Sequence, residues 1–148
     1  MSKHIKMNIK KIVIASDHAG FELKELIKGF LTKRGKMVLD LGTNSSNSVD
    51  YPDFAHQLSK MIKKNNQFGI LVCGSGIGMD ITANKHKNIR AALCYNLKST
   101  RLSREHNNAN VMTIGAKLTK KKLALECVNL FLKTKFLGGR HLRRIKKI

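Results

Sequence analysis

The chain has 148 residues, 42% of them hydrophobic, and carries 29 Lys and Arg against 9 Asp and Glu, a formal charge of +20. That length suits one domain with a real core, and no apolar run approaches the ~20 residues that a membrane-spanning helix needs. The charge raises nucleic-acid binding as a function class, but the cations are spread along the whole chain, aromatic residues make up 5% and Trp is absent, which leaves no platform for stacking bases. A solvated, Lys-rich surface is the expectation, with no membrane and no specific nucleic-acid partner.

Residues 1–10 form a basic extension without the apolar stretch of a secretory signal. Three widely spaced cysteines (Cys73, Cys94, Cys127) form no CxxC pair, so neither zinc nor a dithiol motif is indicated. Reduced thiols and a cytoplasmic protein are expected.

Lys11 to Ser16 is a β-branched run, a buried strand. Asp17-His18-Ala19-Gly20 makes a turn. Leu23, Leu26, Ile27, Phe30 and Leu31 then mark one face of a helix that Gly35 stops. Met37 to Leu41 reads as a second strand, and Gly42 to Val49 as a polar loop. Asp50 is the expected N-cap of a helix with Pro52 in its first turn, Phe54, Leu58, Met61 and Ile62 on one face, and Asn65-Asn66 at its close.

Phe68 to Cys73 is a third strand. It runs into Gly74-Ser75-Gly76-Ile77-Gly78 and a helix over Met79 to Lys85. Arg90 to Tyr95, a helix over Leu97 to Glu105, and Val111 to Gly115 follow. Thr119 caps a last long helix whose expected face is Leu123, Cys127, Leu130 and Phe131. The tail carries Arg140 and Arg144 at i, i+4.

Strands alternating with helices predict an α/β domain over residues 11–148, a parallel sheet with helices on both faces. Ligands of such sheets sit beyond the carboxyl ends of the strands. Polar residues follow the strands at Asp17-His18, Cys73 to Gly78, Tyr95-Asn96 and Gly115-Ala116-Lys117, and three of these clusters should converge in one crevice.

The glycine loop reads G-x-G-x-G. It is neither the dinucleotide fingerprint nor a P-loop. A turn that only needs small residues is one reading. An anion cradle of backbone N–H groups is the other. Cys73 immediately before it adds a candidate nucleophile or general base. His106 is a candidate acid/base partner, Asp17 and His18 can contact a hydroxylated substrate, and Arg140 with Arg144 can clamp a phosphate.

Taken together, Ser16-Asp17-His18-Ala19-Gly20, Asp50-Tyr51-Pro52, Cys73-Gly74-Ser75-Gly76-Ile77-Gly78, Ala83-Asn84-Lys85, Ile89-Arg90-Ala91, Ser103-Arg104-Glu105-His106-Asn107, Asn110-Val111 and Gly138-Gly139-Arg140-His141 resemble the type B ribose-5-phosphate isomerases. That family also includes galactose-6-phosphate isomerase subunits. The resemblance runs from Lys11 to Arg144. It implies a Rossmann-like three-layer fold on a five-stranded parallel sheet, no metal or organic cofactor, and a homodimer, with a tetramer left open, whose sites combine residues of two subunits.

The implied reaction interconverts ribose 5-phosphate and ribulose 5-phosphate through a cis-enediolate, in the non-oxidative pentose phosphate pathway. Galactose 6-phosphate or allose 6-phosphate is the alternative substrate. By residue match, Cys73 is the base, His106 assists ring opening, and Ser75 keeps the hydroxyl of a position that is Thr in many members. Asp17, His18, Tyr51 and Asn107 lie at the sugar. The loop from Gly74 through Gly76 and Ile77 to Gly78 stabilises the enediolate. Lys117, Arg140 and Arg144 bind largely the phosphate. Lys117 stands where Arg is common, which keeps the charge and loses the bidentate fork.

Overall fold

The computed structural model describes residues 11–63 and 66–148, so the basic extension and the predicted helix stop at Asn65 lie outside the described residues. Five strands alternate with helices: β1 (Lys11–Ser16), α1 (Phe21–Lys33), β2 (Val38–Asp40), α2 (Tyr51–Met61), β3 (Gln67–Cys73), α3 (Ile77–Ala83), β4 (Ala91–Leu93), α4 (Leu97–Glu105), β5 (Val111–Gly115), α5 (Lys121–Lys133) and α6 (Arg140–Ile145). All strand pairs are parallel, in the order β2-β1-β3-β5-β4. The three-layer α/β sandwich expected from the alternation is therefore present.

The two-residue period of the strands sorts their side chains into two cores. Ile12, Ile14, Ile70, Val72, Met112 and Ile114 face α1 and α5. Val13, Ala15, Leu71, Cys73 and Val111 face α2 and α3. Cys73 is thus the last inward residue of a central strand, and burial on one face is what fixes its direction.

Helix boundaries shift where backbone geometry overrides side-chain pattern. α3 begins at Ile77, before the expected Met79, because Gly76 adopts φ +78° and caps it. Asp50 does hold the N-cap position of α2, yet its side chain accepts no capping bond. α5 is capped at Lys120 rather than Thr119, and its buried face is Ala124, Cys127, Val128, Phe131 and Leu132. The predicted Leu123 and Leu130 sit at the margins of that face.

The apolar face of α1 also departs from expectation. Leu26 is exposed, whereas Lys24 is fully buried. Its Nζ donates to Asp40 Oδ2 and Glu25 Oε1, both at 2.7 Å, and Lys28 Nζ reaches the same Asp40 oxygen at 3.1 Å. Burial pushes the Asp40 carboxyl up, but hydrogen bonds from Lys24, the Gly42 N–H and Lys28 outweigh it, and the net position is below the usual carboxylate range. These are the only ion pairs among the described residues.

Without Asp40 the buried Lys24 would keep only the exposed Glu25 carboxylate as counterion and would stay desolvated. Asp40→Ala should therefore cost about 3–5 kcal/mol in urea unfolding at neutral pH, and Lys24→Met in the same chain should recover most of it. Because the folded carboxyl is depressed, the pair stabilises above the unfolded carboxylate range and loses its contribution as pH falls through the folded value. Equal acid sensitivity of Asp40→Ala and the parent chain would contradict this.

Candidate active site

The strand order reverses between β1 and β3. Their carboxyl ends therefore diverge into loops on opposite faces and leave a crevice at the switch point. It has a volume of about 500 Å³. Asp17, His18 and Ala19 enter it from β1, and Cys73, Gly74, Ser75, Ile77 and Gly78 from β3. Tyr51 enters from α2, Ile81 from α3, and Lys117 from beyond β5. Three of the strand-end clusters converge, as expected. The fourth, Tyr95-Asn96, lies outside: Asn96 instead caps α4, its Oδ1 accepting from the Ser99 N–H at 2.7 Å.

The loop is built on backbone contacts that exclude a Cβ. One on Gly20 would lie 2.4 Å from the Val72 carbonyl oxygen, and one on Gly115 2.4 Å from that of Ser75. A Cβ on Gly78 would lie 2.5 Å from the Tyr51 ring, which rests on that glycine. The close fit pulls three strand ends together around the thiol.

Cys73 is buried, and its Sγ accepts a hydrogen bond from the Gly76 N–H at 3.1 Å. The Ile77 N–H is directed to Ser75 Oγ at 3.2 Å. Gly76 itself does not line the crevice. The Lys117 N–H donates to the Gly74 carbonyl at 2.9 Å, which holds the lysine beside the loop.

Two further groups are fixed by single bonds. Asp17 Oδ1 accepts from the Gly20 N–H at 3.0 Å. His18 Nδ1 accepts from the Val49 N–H at 3.1 Å. A ring nitrogen that accepts carries no proton, so neutral His18 holds its proton on Nε2 as a donor.

His106, Asn107, Arg140 and Arg144 do not line this crevice. α4 runs back along the sheet, and His106 caps its carboxyl end. The turn that follows is joined to the amino ends of the strands: the Asn110 carbonyl accepts from the Gly69 N–H at 2.9 Å, and Asn110 Oδ1 from the Arg90 N–H at 2.8 Å. The Leu137 N–H donates to the Glu105 carbonyl at 3.1 Å and brings α6 to the same end. There His106 stacks on His141, with ring centroids 4.2 Å apart and planes 12° apart. A seven-residue strand puts roughly 20 Å between this cluster and Cys73. Within one chain, the expected pairing of His106 with Cys73 therefore does not form. The reason is the direction of α4, which returns along the parallel sheet and ends at its amino edge.

Sequence reasoning missed Ala19 and Ile81 in the crevice and His141 beside His106. Ile81 carried a signal: it stands at i+4 from Ile77 on a short helix, and both are exposed apolar residues. His141 carried none beyond its motif.

Comparison with known proteins follows the same outline. The profile of the ribose/galactose isomerase family matches residues 12–148. The chain belongs to this family. Among its members, ribose-5-phosphate isomerase B of Escherichia coli is 41% identical over 141 residues, covering 95% of each chain. A solved ribose 5-phosphate isomerase from Thermotoga maritima is 52% identical, with a TM-score of 0.90, covering 93% of this chain and 95% of its own. The family also includes ribose-5-phosphate isomerase B of Mycoplasma genitalium, solved with bound ribulose 5-phosphate. It is 43% identical, with a TM-score of 0.89, covering 93% of this chain and 92% of its own.

The His106–His141 stack has a pH signature. Burial, then His106, Arg140 and Arg144, hold the His141 imidazole below its ordinary value of 6.5. A depressed folded value means that the unfolded tail takes up the proton more readily, so the contact is at full strength above about pH 6.5 and weakens as pH falls through the folded value. Intrinsic-rate-corrected hydrogen exchange of α6 should rise, relative to α1, when pH is lowered from about 7.5 to about 5.5. His141→Phe should flatten that response. Identical pH responses of α6 and α1 in the parent chain would refute it.

Proposed function

We propose that this chain interconverts ribose 5-phosphate and ribulose 5-phosphate, as a step of the non-oxidative pentose phosphate pathway. The observation that carries the reading is the Cys73 thiol in the glycine-loop crevice, 3.1 Å from the Gly76 N–H, in a chain of the ribose/galactose isomerase family. A Mycoplasma relative that holds ribulose 5-phosphate supports the substrate.

In this reading the Cys73 thiolate removes the proton from C2 of the opened aldose. The electron pair forms the C1–C2 double bond, and the carbonyl oxygen at C1 becomes the oxyanion of a cis-enediolate. The O2 proton passes to O1, and the thiol returns its proton to C1, which leaves the ketose. With the Gly76 and Ile77 N–H groups already directed to Sγ and to Ser75 Oγ, the oxyanion donors are those of Gly74, Ser75 and Gly78. Such donors are often the largest catalytic term. Asp17 Oδ2 and His18 Nε2–H hold sugar hydroxyls, and Tyr51 closes one wall.

His106 as ring-opening acid/base, Asn107 as a sugar contact, and Arg140 with Arg144 as phosphate ligands are supplied by a second copy. Two half-sites at opposite ends of one sheet support a two-fold homodimer, in which the α6 end of each chain covers the crevice of its partner. Apolar side chains exposed at both places fit this interface: Ile77 and Ile81 at the crevice, and Leu137 and Leu142 at α6. Three free thiols suit a reducing compartment such as the cytoplasm.

Two measurements test the reading. A coupled assay on the purified chain should show turnover of ribose 5-phosphate that Cys73→Ala abolishes without altering unfolding. Near-wild-type turnover in that variant would remove the thiol from the base role, and a preference for galactose 6-phosphate would displace the pentose. In the second, Cys73→Ala and His106→Asn, each inactive alone, are mixed under subunit exchange. About a quarter of wild-type activity should return, because each mixed two-fold dimer rebuilds one intact site. No recovery between exchanging subunits would show that each chain carries its own complete site.

A further inference from the structure

The turn after α4 encloses a second cavity, of about 270 Å³, at the amino ends of the strands. It is separate from the crevice at Cys73 and shares no residue with it. Four cations line it: Lys63 after α2, Lys87 and Arg90 before β4, and Arg104 on α4. Asn108 and Asn110 supply amide groups between them. Lys63 and Lys87 are exposed at its rim, whereas Arg104 is only 6% exposed.

Each guanidinium has neutral partners only. Arg104 Nε donates to the Thr134 carbonyl at 3.1 Å. Its Nη1 donates to the Ala109 carbonyl at 2.6 Å and to Asn108 Oδ1 at 3.0 Å. Arg90 Nε donates to the Asn107 and Asn108 carbonyls at 3.1 Å, and Nη2 to the Asn108 carbonyl at 3.0 Å. Phe68 and Phe131 lie within 4.9 and 5.6 Å of the Arg104 guanidinium. They attract the cation but carry no countercharge.

All nine carboxylate side chains of the sequence fall within the described residues, and none pairs with Arg90 or Arg104. Burial pushes both guanidinium groups down from their ordinary value, and Arg90 adds to the effect at Arg104. A buried cation without a counterion is costly. Here the buried Arg104 and the half-buried Arg90 adjoin a polar cavity with two further ammonium groups at its mouth.

We propose that this cavity binds a small phosphate-bearing anion, held by Lys63, Lys87, Arg90 and Arg104, at a site distinct from the one that takes the substrate. The donors suit phosphate oxygens: planar guanidinium groups give directional hydrogen bonds, and flexible ammonium groups close over a charge. The cavity can admit a pyrophosphate or a phosphorylated small molecule. It lies among residues that also hold the His106–Asn110 turn, so an occupant would tie that turn to β4 and α2.

The test uses inorganic pyrophosphate as the probe, titrated calorimetrically at about 0.15 M ionic strength to screen diffuse surface attraction. The background is Arg140→Ala with Arg144→Ala, which removes the two tail arginines assigned to the substrate phosphate. Binding should persist there. Adding Lys63→Gln and Lys87→Gln should weaken it at least about tenfold, and the amide resonances of Asn108 and Asn110 should shift on titration. The two lysine substitutions alone should leave isomerase kcat unchanged. Absence of binding in the arginine background, or binding that the lysine pair does not weaken, would overturn the proposal. So would lysine-dependent binding of a single-stranded oligonucleotide with no binding of pyrophosphate, which would mark a nucleic-acid surface.

Discussion

The close approach of three strand ends around Gly76 is the constraint on which the rest of the site depends. Gly76 stands at φ +78°, and a Cβ there would lie 2.7–2.9 Å from Leu93, Ile114 and Gly115. No L side chain tolerates both that conformation and that crowding. With the turn fixed, the Gly76 N–H meets the Cys73 sulfur, and Ile77 can start α3 immediately. The direction of the thiol is thus a property of the backbone. Gly20 and Gly115 extend the arrangement to β1 and β5, so that the loops bearing Asp17, His18 and Lys117 reach the same volume.

Parallel sheets divide their labour between two ends, and this chain uses both. The carboxyl end gathers the Cys73 thiol, Asp17, His18, Lys117 and the glycine loop. The amino end gathers His106, His141 and the tail arginines on elements stabilised by Arg104 and Arg90. A helix returning along a parallel sheet must end near the amino edge, so His106 at the carboxyl terminus of α4 stands far from Cys73 of its own chain. The proposed two-fold pairing would resolve that geometry without any change in the fold, because it would bring unlike ends together twice. In that proposed pairing the apolar residues exposed at each end would be covered.

Much of this was legible in the sequence. Lys11–Ser16, Leu97–Glu105 and Val111–Gly115 were expected at the boundaries they have, since turn residues bracket strong apolar or polar runs. That three of the four strand-end clusters would converge followed from strand alternation; that they are Asp17-His18, Cys73–Gly78 and Lys117 did not. Illegible were features set by partners distant in the chain. Lys24 reads as a solvated lysine until β2 brings Asp40 within 2.7 Å. Tyr95-Asn96 follows a strand yet caps a helix, because a short edge strand ends away from the switch point. The separation of His106 from Cys73, by contrast, follows from the alternation itself, because the turn before a parallel strand lies at the amino edge.

The charge acquires a different meaning once the carboxylates are located. Asp40 and Glu25 neutralise Lys24, Asp17 holds the first loop, and Asp80 accepts from Thr113 beneath the glycine helix, its carboxyl raised by burial. Glu22 and Asp53 occupy first turns of helices, where a negative charge suits the dipole. The few acids are thus committed largely to internal structure, and the cations are left to set the outer field. A positive field raises the encounter rate of phosphorylated molecules, but it falls off within a Debye length of about 8 Å at physiological ionic strength. It attracts every phosphate alike. Selectivity among phosphates is therefore left to the shape of the crevice, which Asp17, His18 and the Tyr51 ring against Gly78 line.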